Sequence, residues 1–196
     1  MPLELTNPPP KMNIKKLIGI LIILMSLTAC NQAREKKTKT EYSEGWKPLI
    51  ENNYSISYPD DWELDQSELM GSNFILFSPL TSTEDLFKEN VNLIVQDLTE
   101  HNVDLDQYIE LSENQIKTYI TAAKFLENKK ITTGDLNYQK LVYTGKQGVF
   151  NLKFEQYIWV IEDTAFVLTL TCEEDQFDHY KTIGEKILNS FVIDKN

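Results

Sequence analysis

A thiol and an imidazole stand seven positions apart in this chain, as Cys172 and His179. A Cys–His pair generates a thiolate nucleophile when the two side chains are in hydrogen-bond contact and a third group orients the base. Here the cysteine ends a strand-like run and the histidine opens a helix-like one, with no local nucleophile motif around either. The simpler expectation is Cys172 as a small apolar core residue and His179 as a solvent-facing one. An envelope enzyme using Cys172 and His179 stands as the alternative.

Oxygen ligands for a cation are offered by Asp60-Asp61, Glu162-Asp163 and Glu173-Glu174-Asp175. None follows the alternate-residue spacing and closing bidentate Glu of a calcium loop. The two histidines, His101 and His179, are far apart in sequence, which argues against a conventional zinc site. Solvated loops and helix caps account for these acids more simply. Neither a Gly-rich phosphate loop nor a serine-hydrolase elbow is present, and seven glycines in 196 residues leave little material for one. The expectation is no catalytic residue, no cofactor and no metal. A small-ligand or cation-binding protein is kept as a further alternative.

Different chemistry attaches to the other cysteine. Lys15 and Lys16 precede eleven almost wholly apolar residues, 17–27, which run into Thr28-Ala29-Cys30 and then turn polar at once. Crossing a bilayer takes about 20 apolar residues, whereas a signal-peptide core takes roughly 7–15. The stretch Leu27-Thr28-Ala29-Cys30 resembles the lipobox of bacterial lipoproteins. That resemblance implies that residues 1–29 are a signal peptide removed at Cys30, whose thiol is diacylated and whose new amino group is often acylated too. Two acyl signals anchor stably where one binds marginally. Residues 1–11, with Glu4 and a Pro8-Pro9-Pro10 run, fit poorly before a signal sequence, so Met12 is the expected translation start.

With Cys30 modified, Cys172 is the remaining cysteine and no intrachain disulfide can form. The expected mature chain carries 16 Lys+Arg against 29 Asp+Glu, a net charge of −13. Residues 31–40 (NQAREKKTKT) hold four basic side chains and one acidic, leaving the body at −16. Residues 30–45 therefore read as a lipidated Cys followed by a flexible basic tether, whose ten-residue charged part reaches roughly 17 Å. A basic tether suits an anionic lipid surface, and an acidic body stands off from one. The acidity also argues against nucleic acid as a partner, because phosphate binding relies on Lys and Arg.

Residues 46–196 read as a single domain with one sizeable core. Tyr54, Ile56 and Tyr58 alternate with serines, the period of a half-buried strand. Pro59-Asp60-Asp61 breaks that strand in a tight turn, after which Trp62 and Leu64 resume the alternation. Trp62 is expected where a sheet meets a helix. Residues 74–77 read as a buried strand closed by Ser78-Pro79, and Val91, Leu93 and Val95 alternate again. Over 104–120 the period changes. Leu105, Tyr108, Ile109, Ile116, Tyr119 and Ile120 fall mostly on one helical face, and Asp104 with Gln107 forms a capping-box pattern.

Strands resume from Lys124: 136–144, a turn at Gly145-Lys146-Gln147-Gly148, 149–161, a tight turn at Glu162-Asp163, and 165–171. The aromatics Tyr143, Phe150, Phe154, Tyr157, Trp159 and Phe166 lie on both faces of this meander, so about half are core and the others are either covered by a helix or form a recognition face. A last helix carries Phe177, Tyr180, Ile187, Leu188 and Phe191 on one side, with Asp175 as the expected N-cap and Gly184 permitting close approach to the sheet. The fold class is α+β: an antiparallel sheet of about six to seven strands with amphipathic helices on its faces.

The stretch YSISYPDDW (54–62), the strand ending in Ser78-Pro79, the central helix and FDHYKTIGEKILNSF (177–191) resemble the PsbP-like domain over roughly 50–193. That resemblance implies an antiparallel sheet with helices packed on its faces. It also implies an accessory or assembly factor and supplies no catalytic residue. The expected protein is a bacterial lipoprotein on the non-cytoplasmic side of a membrane, held by Cys30, acting as a non-catalytic binding or assembly module with an envelope protein partner. Cys30→Ser should abolish acylation, read by metabolic labelling with a fatty-acid analogue; equal labelling of both forms would remove the anchor.

Overall fold

The computed structural model describes residues 44–134 and 136–194. The expected signal segment, Cys30 and residues 31–43 of the tether lie outside the described residues. In chain order the elements are β1 (Trp46–Ile50), β2 (Tyr54–Pro59), β3 (Glu63–Asp65), β4 (Phe74–Phe77), β5 (Asn90–Asp97), α1 (Leu105–Tyr119), β6 (Thr121–Thr133), β7 (Leu136–Gln147), β8 (Phe150–Ile161), β9 (Thr164–Glu173), α2 (Phe177–Asn189) and β10 (Val192–Ile193). Seven strands form one antiparallel sheet in the order β3-β4-β5-β9-β8-β7-β6. A second, three-stranded sheet has the order β1-β2-β10. The class is the α+β one read from sequence.

The division into two sheets was not foreseen. β2 pairs with β1 and β10, whereas β3 pairs with β4. The turn after Pro59 is therefore a corner between sheets, closed by the Trp62 N–H donating to the Pro59 carbonyl at 3.1 Å. β1 and β10 themselves carry weak patterns: β1 contains a proline, and β10 is two residues long.

Both faces of the large sheet are apolar and both are covered. Tyr157, Trp159, Phe166, Leu168 and Leu170 pack with α2 and the small sheet, while Leu141, Tyr143, Leu152, Phe154 and Val167 pack with α1. No face of the meander is left as an open aromatic surface; Phe150 is half-buried against Phe87, and the other five aromatics are buried. The α1 capping box forms as read, with the Gln107 N–H donating to Asp104 Oδ1 at 2.9 Å and the Asp104 N–H to Gln107 Oε1 at 3.0 Å. Tyr119, assigned to the buried face, is instead 79 % exposed, because α1 ends there and the chain turns into β6.

Three local readings are corrected. The hairpin after β7 is the two-residue turn Gly148-Val149, with Gln147 opposite Phe150. Gly148 has φ +59° at the first central position, as a type II′ turn requires. Gly145 lies inside β7, and its lack of a side chain serves packing: a Cβ there would collide with Ile120 Cγ2 and lie 3.2 Å from the Thr121 carbonyl oxygen. β6 opens at Thr121, three residues before Lys124, and has two register shifts in its first half. Finally, the α2 N-cap is Gln176 rather than Asp175, and it makes no side-chain capping bond. Gly184 does face the sheet, where a Cβ would lie 2.5 Å from Leu170 Cδ2.

One ion pair sits inside the α2-covered face. Lys140 of β7 reaches Glu155 of β8 at 2.8 Å, with Glu127 at 3.9 Å and Glu185 of α2 at 3.8 Å. Glu155 is 1 % exposed and also accepts from the Tyr157 hydroxyl at 3.1 Å. Burial works against the Lys140 charge, but the hydrogen bond and charge of Glu155, then Glu127 and Glu185, outweigh it and raise the ammonium's pKa.

Two stability predictions follow from this packing. Trp62 is 3 % exposed and meets Tyr180 of α2 edge-on at 6.5 Å. Trp62→Ala is expected to cost about 3–5 kcal/mol, read from the denaturant midpoint at constant m. Lys140→Met leaves Glu155 buried and unpaired, a loss of about 3–5 kcal/mol, whereas Lys140→Met with Glu155→Leu should recover most of it. A single variant as stable as the parent would mean the pair is solvated.

Candidate functional site

An open, mostly apolar groove of about 580 Å³ lies where the two sheets and α2 meet. Each wall follows from a local rule. The corner after β2 seats Trp62, and the Asp60 N–H donating to the Gly45 carbonyl at 2.9 Å holds the start of β1 beside it. This brings Trp46 to the rim. α2 presents Tyr180, Ile183 and Lys186 at helical spacing, and the loop after β4 adds Pro79 and Leu80. The Lys186 ammonium stands 4.1 Å from the centroid of the Trp46 ring, a cation–π contact. Asp61, Thr81, His179 and Thr182 add polar groups to the lining.

The loop over residues 78–89 contains no helix or strand, yet it is internally tied. Asp85 Oδ2 accepts from the Thr81 N–H and hydroxyl, both at 2.9 Å, and Asp85 Oδ1 accepts from the Phe87 N–H at 3.1 Å. These bonds hold the Asp85 carboxyl below its usual pKa. Behind the groove wall, Tyr180 leads inward to Ser78, Glu89 and Cys172, all buried.

The structure separates the environments of the two residues of the thiol–imidazole reading. Cys172 is fully buried in the core, and burial, followed by the charges of Glu89 and Glu155, raises its thiol pKa. His179 is exposed on α2, edge-on to Tyr180 at 5.0 Å, and lines the groove, which Cys172 does not. A thiol held in its neutral form by apolar surroundings is the opposite of an activated nucleophile. Asp60-Asp61 and Glu162-Asp163 occupy turns, and Glu173-Glu174-Asp175 joins β9 to α2. Among the described residues, no three His, Cys, Asp or Glu side chains converge to hold a metal ion. The groove is suited to enclosing an apolar group between aromatic walls, with a cation and a carboxylate at its edge.

Sequence reasoning placed Trp62 and Tyr180 in the core but did not bring Trp46 and Leu80 to them, since the four residues belong to four separate segments. It also passed over the buried acids. Glu155 had a visible signal: it shares strand parity with Tyr157 and Trp159, so it had to point into the same apolar face. Glu89 had none, because it stands in a loop before β5.

No family model matches the chain, and no curated protein matches it in sequence. Solved structures do resemble it. Cyanobacterial PsbP (CyanoP) from Synechocystis sp. PCC 6803 aligns with TM-score 0.58 and 13 % identity, over 79 % of this chain and 96 % of that one. A Pseudomonas aeruginosa protein of unknown function aligns with TM-score 0.57 and 14 % identity, over 77 % and 99 %. LpqN, involved in cell envelope biogenesis of Mycobacterium tuberculosis, aligns with TM-score 0.54 and 13 % identity, over 76 % and 91 %. Two antiparallel sheets with two covering helices, in this arrangement, are a PsbP-like α+β fold.

Proposed function

We propose that this chain is a lipid-anchored envelope protein that acts as a non-catalytic binding or assembly module, with the groove between α2 and the β2–β3 corner as its docking surface. The observation that carries this reading is the groove itself, where Trp46, Leu80 and Ile183 stand partly exposed over a floor of Trp62 and Tyr180. Concave clefts of this volume, lined by apolar and aromatic side chains with a few polar groups, are the usual places for a bound group. The likeness in fold to CyanoP and to an envelope-biogenesis protein, together with the lipobox-like Cys30, supports an accessory role at a membrane. The buried, neutral state of Cys172 speaks against the thiol-enzyme alternative.

The partner is a protein carrying an apolar anchor ringed by basic residues. The apolar part matches the groove, and the basic ring complements a body of net charge −16. A photo-cross-linking residue at Leu80 should capture one protein repeatedly in intact cells. Ile183→Asp, which puts a carboxylate into the groove wall, should lower that yield about tenfold or more. Capture should also weaken with added salt, because exposed charges are screened over about 8 Å at physiological ionic strength. Repeated recovery of the uncross-linked protein alone would overturn the reading.

A further inference from the structure

Several connections meet at one end of the large sheet. β4 ends there at Phe77, opposite Asn90 of β5, and the 78–89 loop joins the two. The β7–β8 turn at Gly148-Val149 closes at the same end. α1 runs into β6 beside it, with Thr121 opposite Lys146. The Glu174 N–H donates to the Asn151 carbonyl at 2.9 Å, which brings the β9–α2 connection to that turn. The loop and the turn touch through rings, the Phe87 and Phe150 centroids lying 5.1 Å apart.

This end exposes large apolar side chains on fixed backbone. Val149 is 89 % exposed, Leu86 84 % and Tyr119 79 %. Among the described residues only Met70 is comparably exposed, and it lies in the β3–β4 connection, at the opposite end of those strands. The second position of a two-residue turn is ordinarily small or polar, so packing does not account for a valine there. Leu86 is displayed by a loop that Asp85 ties to Thr81 and Phe87.

The described chain also begins here. The Gly45 carbonyl accepts from the Asp60 N–H at 2.9 Å, and Glu63, just beyond that corner, pairs with Phe77. Trp46 and Leu80 accordingly line one groove.

We propose that this end of the sheet is the membrane face of the body, with Leu86, Tyr119 and Val149 entering the boundary between headgroups and acyl chains. The inference rests on the lipid-anchored reading above. Cys30 precedes Glu44 by fourteen positions, and a flexible linker of that length has an r.m.s. reach of roughly 20 Å. The twelve residues of β8 carry the far end of the sheet about 40 Å away. A bilayer holding Cys30 is therefore within reach of this end and not of the other. Tethering makes the contact intramolecular, so three side chains too few to hold a free protein on lipid can still engage it. Tyrosine suits the headgroup level, its ring apolar and its hydroxyl wet. Exposed Glu84 and Glu174 offset Lys117 and Lys146 here, so the apolar side chains rather than charge make the contact.

The test couples the full chain through the Cys30 thiol to a maleimide-bearing lipid in phosphatidylcholine vesicles; Cys172, fully buried, does not compete. A fluorescent amino acid is placed singly at position 86, 119, 149 or 70, and brominated acyl chains serve as the quencher. The expected result is loss of emission at 86, 119 and 149 and none at 70. Leu86→Asp combined with Val149→Asp should abolish the quenching at 119. No quenching at the three positions, equal quenching at 70, quenching that requires added anionic lipid, or quenching at 119 untouched by the double substitution would overturn the membrane face. All these side chains are exposed, so the fold is not at stake. Because the coupling supplies the anchor, failure here belongs to the membrane face, while fatty-acid labelling of Cys30 and Leu80 cross-linking decide the anchor and the groove.

Discussion

A sheet that is apolar on both faces has to be covered on both, and that constraint governs this molecule. β9 makes it most severe. Eight consecutive residues of that strand, Ala165–Cys172, are buried, so the side chains of both its faces are removed from water. At roughly 25 cal/mol for each Å² of apolar surface removed from water, leaving either face bare would forfeit much of the driving force for folding. One helix, α1, covers one face. The other face is shared by α2 and the small sheet of β1, β2 and β10.

The shared cover creates the groove. Where α2 meets the small sheet, the two surfaces diverge at the β2–β3 corner, and Trp62 and Tyr180 fill only the floor of the gap. Trp46, Ile183 and Leu80 are left along its sides. Gly184 belongs to the same geometry: with no side chain against Leu170, it lets α2 lie close to β9 and so aligns Tyr180 and Ile183 along the groove. Apolar surface persists there, and the docking role proposed for it needs no reactive residue.

Polar groups inside the covered face follow a different logic. Lys140 and Glu155 are drawn into low-dielectric surroundings but satisfy one another, with Glu127, Glu185 and Tyr157 taking up the remaining valences. Among the described residues Glu89 has no such cation, and its carboxyl accepts from the Ser78 hydroxyl. Two buried carboxyl groups are thus met differently: Glu155 by an ammonium, Glu89 by a hydroxyl, with burial holding the Glu89 pKa above its ordinary value.

The sequence by itself determined what depends on neighbours along the chain. The strand β4 at Phe74–Phe77, the capping box at Asp104 and Gln107, the paired turn residues Glu162 and Asp163, and the amphipathic face of α2 are all set within a few residues, by sterics, capping and periodicity. The lipobox-like stretch ending at Cys30 is likewise a local pattern. Only the tertiary structure decided what depends on long-range pairing. β1 and β10 flank β2 as its pairing partners, and neither is long or regular enough to announce a strand alone. Gly145 is a glycine because β6 crosses over it, although alone it reads as part of a turn. The groove joins Trp46, Trp62, Leu80 and Ile183 across four segments, and Glu89 is enclosed by groups from a loop, a strand and a helix. Periodicity reports which way a side chain points, not which other segment waits there, and burial and charge environment are properties of that second segment.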